Sequence, residues 1–277
     1  MIKIIITGAD GFVGSYLVNY FKKKNISIFA VGKKFGNLEE KKNWDKIPKA
    51  KFLIHCAHKT KKRKNSNKKY LLSSLSMTRH AINFCIKNNS HLIFPSTFVY
   101  GKNKAKIYKE NMKCKPANIY TLSKYLSENM LKIFSKTHEL KVTILRLFNV
   151  YGLNQNKEFL IPKIFLSLKR KIYLNSFNFS RDYIHISDVA RAFERCLFYK
   201  KKKFEIFNIG SGKSYSIRFL IKMITKISRT KLNIYSKNIK IAGEVRNTRA
   251  NIQKAKNNLK WNPKTSIEKG LKNYYYS

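Results

Sequence analysis

Acidic residues are scarce in this chain of 277 residues: 14 Asp and Glu stand against 59 Lys and Arg, for a net charge of +45. Cysteine is scarce too. Cys56, Cys85, Cys114 and Cys196 are widely separated and form no Cys-x-x-Cys pair, which points to reduced, buried thiols and away from disulfides or zinc. The six histidines show no metal-ligand spacing, so no metal site is expected. No apolar run approaches the roughly 20 residues of a membrane span, and the opening apolar stretch is too short for a signal segment, so the expectation is a cytoplasmic protein with no membrane contact. Arginine is thin, at 11 residues against 48 lysines, whereas recognition of phosphates and bases leans on its planar fork. The lysines are scattered, and only Lys59 to Lys69 and Lys200 to Lys203 form runs, both where loops are expected. The bias to Lys, Asn and Ile therefore reads as drift in base composition, and no specific nucleic-acid partner is expected. With no internal repeat and no low-complexity linker, this length suits one large domain or two joined ones around a substantial core.

Two segments carry most of the chemistry. Thr7-Gly8-Ala9-Asp10-Gly11-Phe12-Val13-Gly14 follows the apolar run Ile2 to Ile6 and opens the pattern Phe12, Val13, Tyr16, Leu17, Tyr20. That reads as strand, tight turn and amphipathic helix. A helix N-terminus so placed can hold a pyrophosphate, and glycines at 8, 11 and 14 let the turn close, backbone approach phosphate, and helix pack on strand. Gly8, Asp10, Gly11, Phe12, Val13 and Gly14 are therefore candidate contacts to a dinucleotide, with Asp10 most simply a turn residue. A purely structural strand-to-helix turn is the alternative. In Tyr120-Thr121-Leu122-Ser123-Lys124 the helical periodicity puts Tyr120 and Lys124 on one face. A cation beside a phenol lowers its pKa by roughly 1 to 3 units, which would make Tyr120 a proton shuttle near neutral pH. The bland reading is an exposed aromatic beside a solvated lysine.

Strands are expected near Lys3 to Ile6, Ser27 to Val31, Phe52 to Cys56, His91 to Phe94, Val142 to Leu147 and Glu205 to Asn208, with helical patterns between them. This alternation predicts an α/β fold, a doubly wound parallel sheet of Rossmann type with the cofactor at the strand C-terminal ends. The expected division is residues 1–151 plus about 184–210 for a dinucleotide-binding domain, and about 152–183 plus 211–277 for a smaller C-terminal substrate lobe, with the substrate in the cleft. The second strand ends in Gly32-Lys33-Lys34, where NAD sites carry an acid for the ribose hydroxyls. Cations there favour a ribose 2'-phosphate, so NADP is placed ahead of NAD.

With the glycine turn and the Tyr-x-x-x-Lys helix together, the chain resembles the extended short-chain dehydrogenase/reductases that act on nucleotide sugars, the NAD-dependent epimerase/dehydratase family. Leu53-Ile54-His55-Cys56-Ala57 is similar to the family strand that passes over the cofactor, with Lys51 where an acid is usual, and implies a cofactor contact at Ala57. Pro95-Ser96-Thr97-Phe98-Val99-Tyr100-Gly101 is similar to the catalytic strand end; the resemblance puts the catalytic hydroxyl on Ser96, with Thr97 as the near neighbour beside the substrate. Arg146-Leu147-Phe148-Asn149-Val150-Tyr151-Gly152, with Leu153 where proline is usual, implies a substrate contact at Asn149. Arg181, in Arg181-Asp182-Tyr183-Ile184-His185-Ile186-Ser187-Asp188, and Arg246, in Gly243-Glu244-Val245-Arg246, are implied contacts to the sugar-nucleotide diphosphate. Glu110 matches an acidic family position and is taken as structural. Only Gly32 to Lys51 separates the second strand from the one bearing His55, leaving little room for the strand and helix the family places there.

The resemblance implies hydride transfer at a sugar carbon, C4 first, while Tyr120 moves the proton, Ser96 hydrogen-bonds the same oxygen, and Lys124 tunes the tyrosine and holds the ribose. The family's dehydratases carry Asp-Glu where this chain has Thr97 and Phe98, so dehydration is not expected. A 4-keto reductase is placed first and a 4-epimerase with retained NAD second. A non-catalytic dinucleotide-binding module associated with polyanions is the reading from another class. A homodimer through the Tyr120 helix and the helix from Leu71 to Lys87 is expected by resemblance.

Overall fold

The computed structural model describes residues 3–59, 66–101, 105–239, 245 and 247–277. Along the chain run β1 Ile4–Thr7, α1 Phe12–Lys22, β2 Ile28–Val31, α2 Lys41–Trp44, β3 Phe52–His55, α3 Asn67–Asn88, β4 His91–Thr97, α4 Ile119–Thr137 and β5 Val142–Leu147. They are followed by β6 Asn149–Tyr151, α5 Leu160–Leu166, β7 Ile172–Leu174, β8 Ser180–Arg181, β9 Tyr183–His185, α6 Ile186–Cys196, β10 Phe204–Ile209, β11 Tyr215–Ser216, α7 Ile217–Ser228, β12 Ile234–Ser236, α8 Gln253–Leu259 and α9 Ile267–Tyr275.

All six strands expected from the sequence form, and they join one sheet in the order β10-β5-β4-β3-β1-β2. The pairs β1–β2, β1–β3 and β3–β4 are parallel, with Thr7 opposite both Val31 and His55. That register aligns the C-terminal ends of three strands. The chain leaves β1 toward β2 and then returns to β1's other side to lay down β3, which makes β1/β3 the switch point where doubly wound sheets bind ligands. Ile4, Ile5 and Ile6 are fully buried, as a central strand covered on both faces requires.

The stretch from Gly32 to Lys51 holds a short 3-10 turn, Lys33–Phe35, and α2, but no strand. Its apolar residues Leu38, Trp44, Ile47 and Ala50 join the core beside Ile5, Leu53 and Phe84. The Trp44 indole N–H donates to Leu38 O at 2.9 Å, so the one polar atom of this large buried side chain is satisfied within the connection itself.

The chain divides into two compact units: Met1–Val99, Pro116–Arg146 and Ala192–Phe207 in the first, and Tyr100–Lys115, Leu147–Arg191 and Asn208–Ser277 in the second. The second has its own core, in which Tyr151 packs with Ile161, Ile164, Leu220, Ile224, Ile267 and Leu271. Gly270 on α9 makes room for Tyr151, since a Cβ there would lie 2.0 Å from the phenol oxygen.

Candidate active site

The β1–α1 turn is built so that backbone meets backbone. Gly8 has φ +67, a left-handed conformation, and a Cβ there would lie 2.6 Å from Ala57 N. Ala57 N in turn donates to the Thr7 hydroxyl at 3.2 Å, and Thr7 bonds the buried His55 ring at 2.8 Å. The turn after β1 and the turn after β3 are thus pressed together at the switch point. A Cβ on Gly14 would lie 2.1 Å from Gly8 O, so α1 can sit this close to the turn only with glycine at that position. Gly11 caps α1 with no side-chain hydrogen bond, and the first turn holds no acid. Its N–H groups and positive dipole end are therefore left for an anionic group, and the cradle fits a dinucleotide pyrophosphate.

Tyr120 and Lys124 lie on α4, which starts where it does because Asn118 and Thr121 form a reciprocal capping box. Lys124 is buried; its ammonium donates to Pro95 O at 2.9 Å and lies 4.5 Å from the centre of the Phe94 ring. Burial lowers its pKa to about 8, opposed by Cys56 and Glu128. Tyr120 is exposed over 43% of its surface. Desolvation raises the phenol pKa above its usual value, and a hydrogen bond with the Thr97 hydroxyl works the other way.

Consecutive strand residues face opposite sides, and this separates the two candidate hydroxyls at the end of β4. Thr97 meets Tyr120. Ser96 is buried and donates to Glu128 Oε1 at 2.5 Å. Glu128 is in turn held by Arg146 through Nε at 3.1 Å to each oxygen and a second nitrogen at 2.7 Å, with all three side chains buried. Glu128 lies four residues beyond Lys124 on α4, a spacing visible in the sequence that was not used. His58, also missed, stands beside the pair: its ring is edge-on to Tyr120 at 5.5 Å between centroids, and its Nε2 lies 3.1 Å from Ser123 Oγ.

In the second unit, parallel β6 and β9 bring Asn149 beside Arg181-Asp182-Tyr183. Asn149 donates from both backbone and side chain to Asp182 O, at 3.0 and 3.2 Å. Arg181 lies over the Phe179 ring at 5.3 Å. Asp182 is fully buried and accepts from Ser211 N, Ser211 Oγ, Gly212 N and Ala250 N at 2.6–3.0 Å. Burial pushes its carboxyl up to about 6, against those four bonds. Asp188 similarly accepts from Lys264 N, Thr265 N and Arg191. Both acids of the motif therefore tie loops together. Glu110 accepts from Asn208 N at 2.9 Å, a structural contact. Arg246 and most of the Lys59–Lys69 run lie outside the described residues. Lys33 and Lys34 are exposed, and among the described residues no helix is long and apolar enough to cross a membrane.

A six-stranded doubly wound sheet, a glycine cradle at its switch point and a Tyr/Lys helix alongside define a dinucleotide-binding enzyme fold. The model of the NAD dependent epimerase/dehydratase family matches residues 4–210, and the chain belongs to that family. It is 27% identical to a Bacillus subtilis protein described as an uncharacterised UDP-glucose epimerase, over 98% of this chain and 96% of that one. It is 29% identical to a putative UDP-glucose 4-epimerase of Methanocaldococcus jannaschii, over 97% and 96%. The structure of RMD from Pseudomonas aeruginosa complexed with NADPH shares the fold, with a TM-score of 0.89 and 21% identity over 100% and 98% of the two chains.

Proposed function

We propose that this chain is a nucleotide-sugar oxidoreductase that works at a sugar hydroxyl or ketone, C4 first, through Thr97, Tyr120 and Lys124. The observation that carries this is an exposed Tyr120 on the same helix as the buried Lys124, whose ammonium holds Pro95 O next to Ser96 and Thr97 at the end of β4. Gly8, Gly11, Phe12, Val13, Gly14 and Ala57 form the dinucleotide cradle. The bound nicotinamide supplies the hydride acceptor or donor. Tyr120, as the phenolate that the Lys124 ammonium would favour, takes the proton from the sugar hydroxyl as its carbon is oxidised and returns it on reduction, while Thr97 donates a hydrogen bond to the same oxygen. Thr97 takes this role ahead of Ser96 because the Ser96 hydroxyl is committed to Glu128. Lys124 keeps a positive charge beneath the site at neutral pH and orients the end of β4 through Pro95 O. Asn149, Arg181 and Arg246 are assigned to the nucleotide sugar, the arginines to its diphosphate.

A 4-epimerase is favoured by the two relatives described as UDP-glucose epimerases, which match over nearly the whole chain. A 4-keto reductase is the second reading, favoured by Lys33 and Lys34 at the end of β2. An epimerase returns its hydride and can retain one cofactor, whereas a reductase must exchange a spent one. Mass spectrometry of nucleotides released on denaturing freshly purified protein, with a UDP-glucose to UDP-galactose assay, tests both. Stoichiometric NAD with interconversion is expected. NADPH bound only on addition, with a ketosugar reduced and no interconversion, would favour the reductase, and binding of neither dinucleotide would sink both.

A further inference from the structure

β2 ends without an acidic side chain of its own, yet a carboxylate stands at its end. Asp10, in the turn before α1, reaches across so that its Oδ2 accepts the Lys33 backbone N–H at 2.5 Å. It lies directly against Gly32, where a Cβ would be 2.6 and 2.7 Å from the two carboxylate oxygens. Gly32 has φ −97 and ψ −172, extended backbone that any residue adopts. A larger residue at position 32 would push the Asp10 carboxylate out of this place. Among the described residues, Oδ1 accepts no hydrogen bond and neither Lys33 nor Lys34 pairs with the carboxylate.

We infer that Asp10 selects the cofactor: reaching over from the phosphate-binding turn, its carboxylate serves as the acid at the end of the second strand and makes the site prefer NAD to NADP. The inference rests on the dinucleotide reading of the cradle. One oxygen is anchored to backbone, which leaves the other to accept from a ribose hydroxyl. A 2'-phosphate brought to the same place would set two anions side by side. Lys33 and Lys34 oppose this weakly, because their exposed ammonium groups stay hydrated on flexible stems. Expectation from sequence favours NADP on those lysines alone, since a carboxylate 22 positions upstream of Gly32 has no reason to be counted with them.

The test is equilibrium titration of the purified full chain with NADH and with NADPH, followed by calorimetry, for the wild type and for Asp10→Asn. Asparagine keeps an acceptor for Lys33 N–H and removes the charge. The wild type should bind NADH at least about tenfold more tightly, and the substitution should erase most of that ratio, chiefly by strengthening NADPH binding. A wild type that binds both equally or prefers NADPH would overturn the inference while leaving the dinucleotide reading intact, as would a folded Asp10→Asn protein with an unchanged ratio. A wild type that binds neither would overturn that reading together with the inference. The wild-type ratio decides even where the variant fails to fold.

Discussion

Ser96 and Glu128 share a 2.5 Å hydrogen bond on the buried side of β4, while the next residue, Thr97, faces the other side of the strand. The proposed reaction thus gives two adjacent hydroxyls different work. Thr97→Val should lower kcat by about 100-fold or more with modest change in KM, in the range of a lost general acid–base or oxyanion contact. Ser96→Ala should keep most of the activity and lower stability by about 1–3 kcal/mol, the cost of a lost hydrogen bond to a charged group. Steady-state kinetics and denaturant melts separate the two; the opposite pattern would return the catalytic role to Ser96.

Tyr120→Phe removes only the proton path. Turnover should fall by at least about 100-fold, while dinucleotide affinity measured by calorimetry stays within a few-fold. Full activity in this variant would remove Tyr120 from the mechanism.

The Glu128–Arg146 pair fastens the middle of the Tyr120 helix to β5. Glu128→Ala takes the carboxylate away from a buried guanidinium, so urea unfolding should show a loss of about 3–5 kcal/mol. A loss below 1 kcal/mol would mean that water reaches Arg146 and the pair does not anchor α4.

Lys124 titrates near about 8 in the folded chain against 10.5 for an ordinary lysine. Between these values the unfolded chain binds more protons, so folding stability should rise with pH across the window, by about 3 kcal/mol in all. Lys124→Met should abolish that rise, because the difference between the two proteins isolates this one group. Any step that needs the ammonium weakens in the same window, so wild-type kcat should fall as pH passes about 8. Parallel stability curves for the two proteins from pH 8 to 10.5 would refute the burial cost assigned to Lys124.

Gly270→Ala should destabilise the second unit by about 1–3 kcal/mol, since the new methyl meets the Tyr151 phenol oxygen at 2.0 Å. Removing that oxygen with Tyr151→Phe should restore part of the loss in the double variant. Thermal melts of the four proteins give the coupling directly.

The fold was legible because its signals are local. Each of the six strands is a short apolar run bounded by turn chemistry, and the absence of a strand between β2 and β3 follows from 20 residues being too few for a further parallel strand and its crossover connections. The different surroundings of Ser96 and Thr97 were not, because a one-residue difference in register swaps strand faces and nothing in the run Pro95-Ser96-Thr97-Phe98 reveals which face is tied to Glu128. Asp10 and Lys33 are 23 positions apart, and Asp182 gathers backbone N–H groups from Ser211, Gly212 and Ala250. Such contacts exist only once the chain has folded. The periodicity of α4 did put Tyr120 and Lys124 on one face, and the same periodicity read four residues further would have reached Glu128.

Because the sheet stops at β2, with no strand beyond it among the described residues, this four-residue strand is one of the sheet's two edges, β10 being the other, and carries a rim of backbone donors and acceptors with no strand beside it. Such a rim invites a like strand from another copy. Here it is short, and it runs straight into Gly32-Lys33-Lys34, so two copies approaching rim to rim would first crowd ammonium groups together. A lysine load that looks idle at the catalytic centre then acts between molecules, keeping a sheet cut one strand short from growing by addition of its own kind.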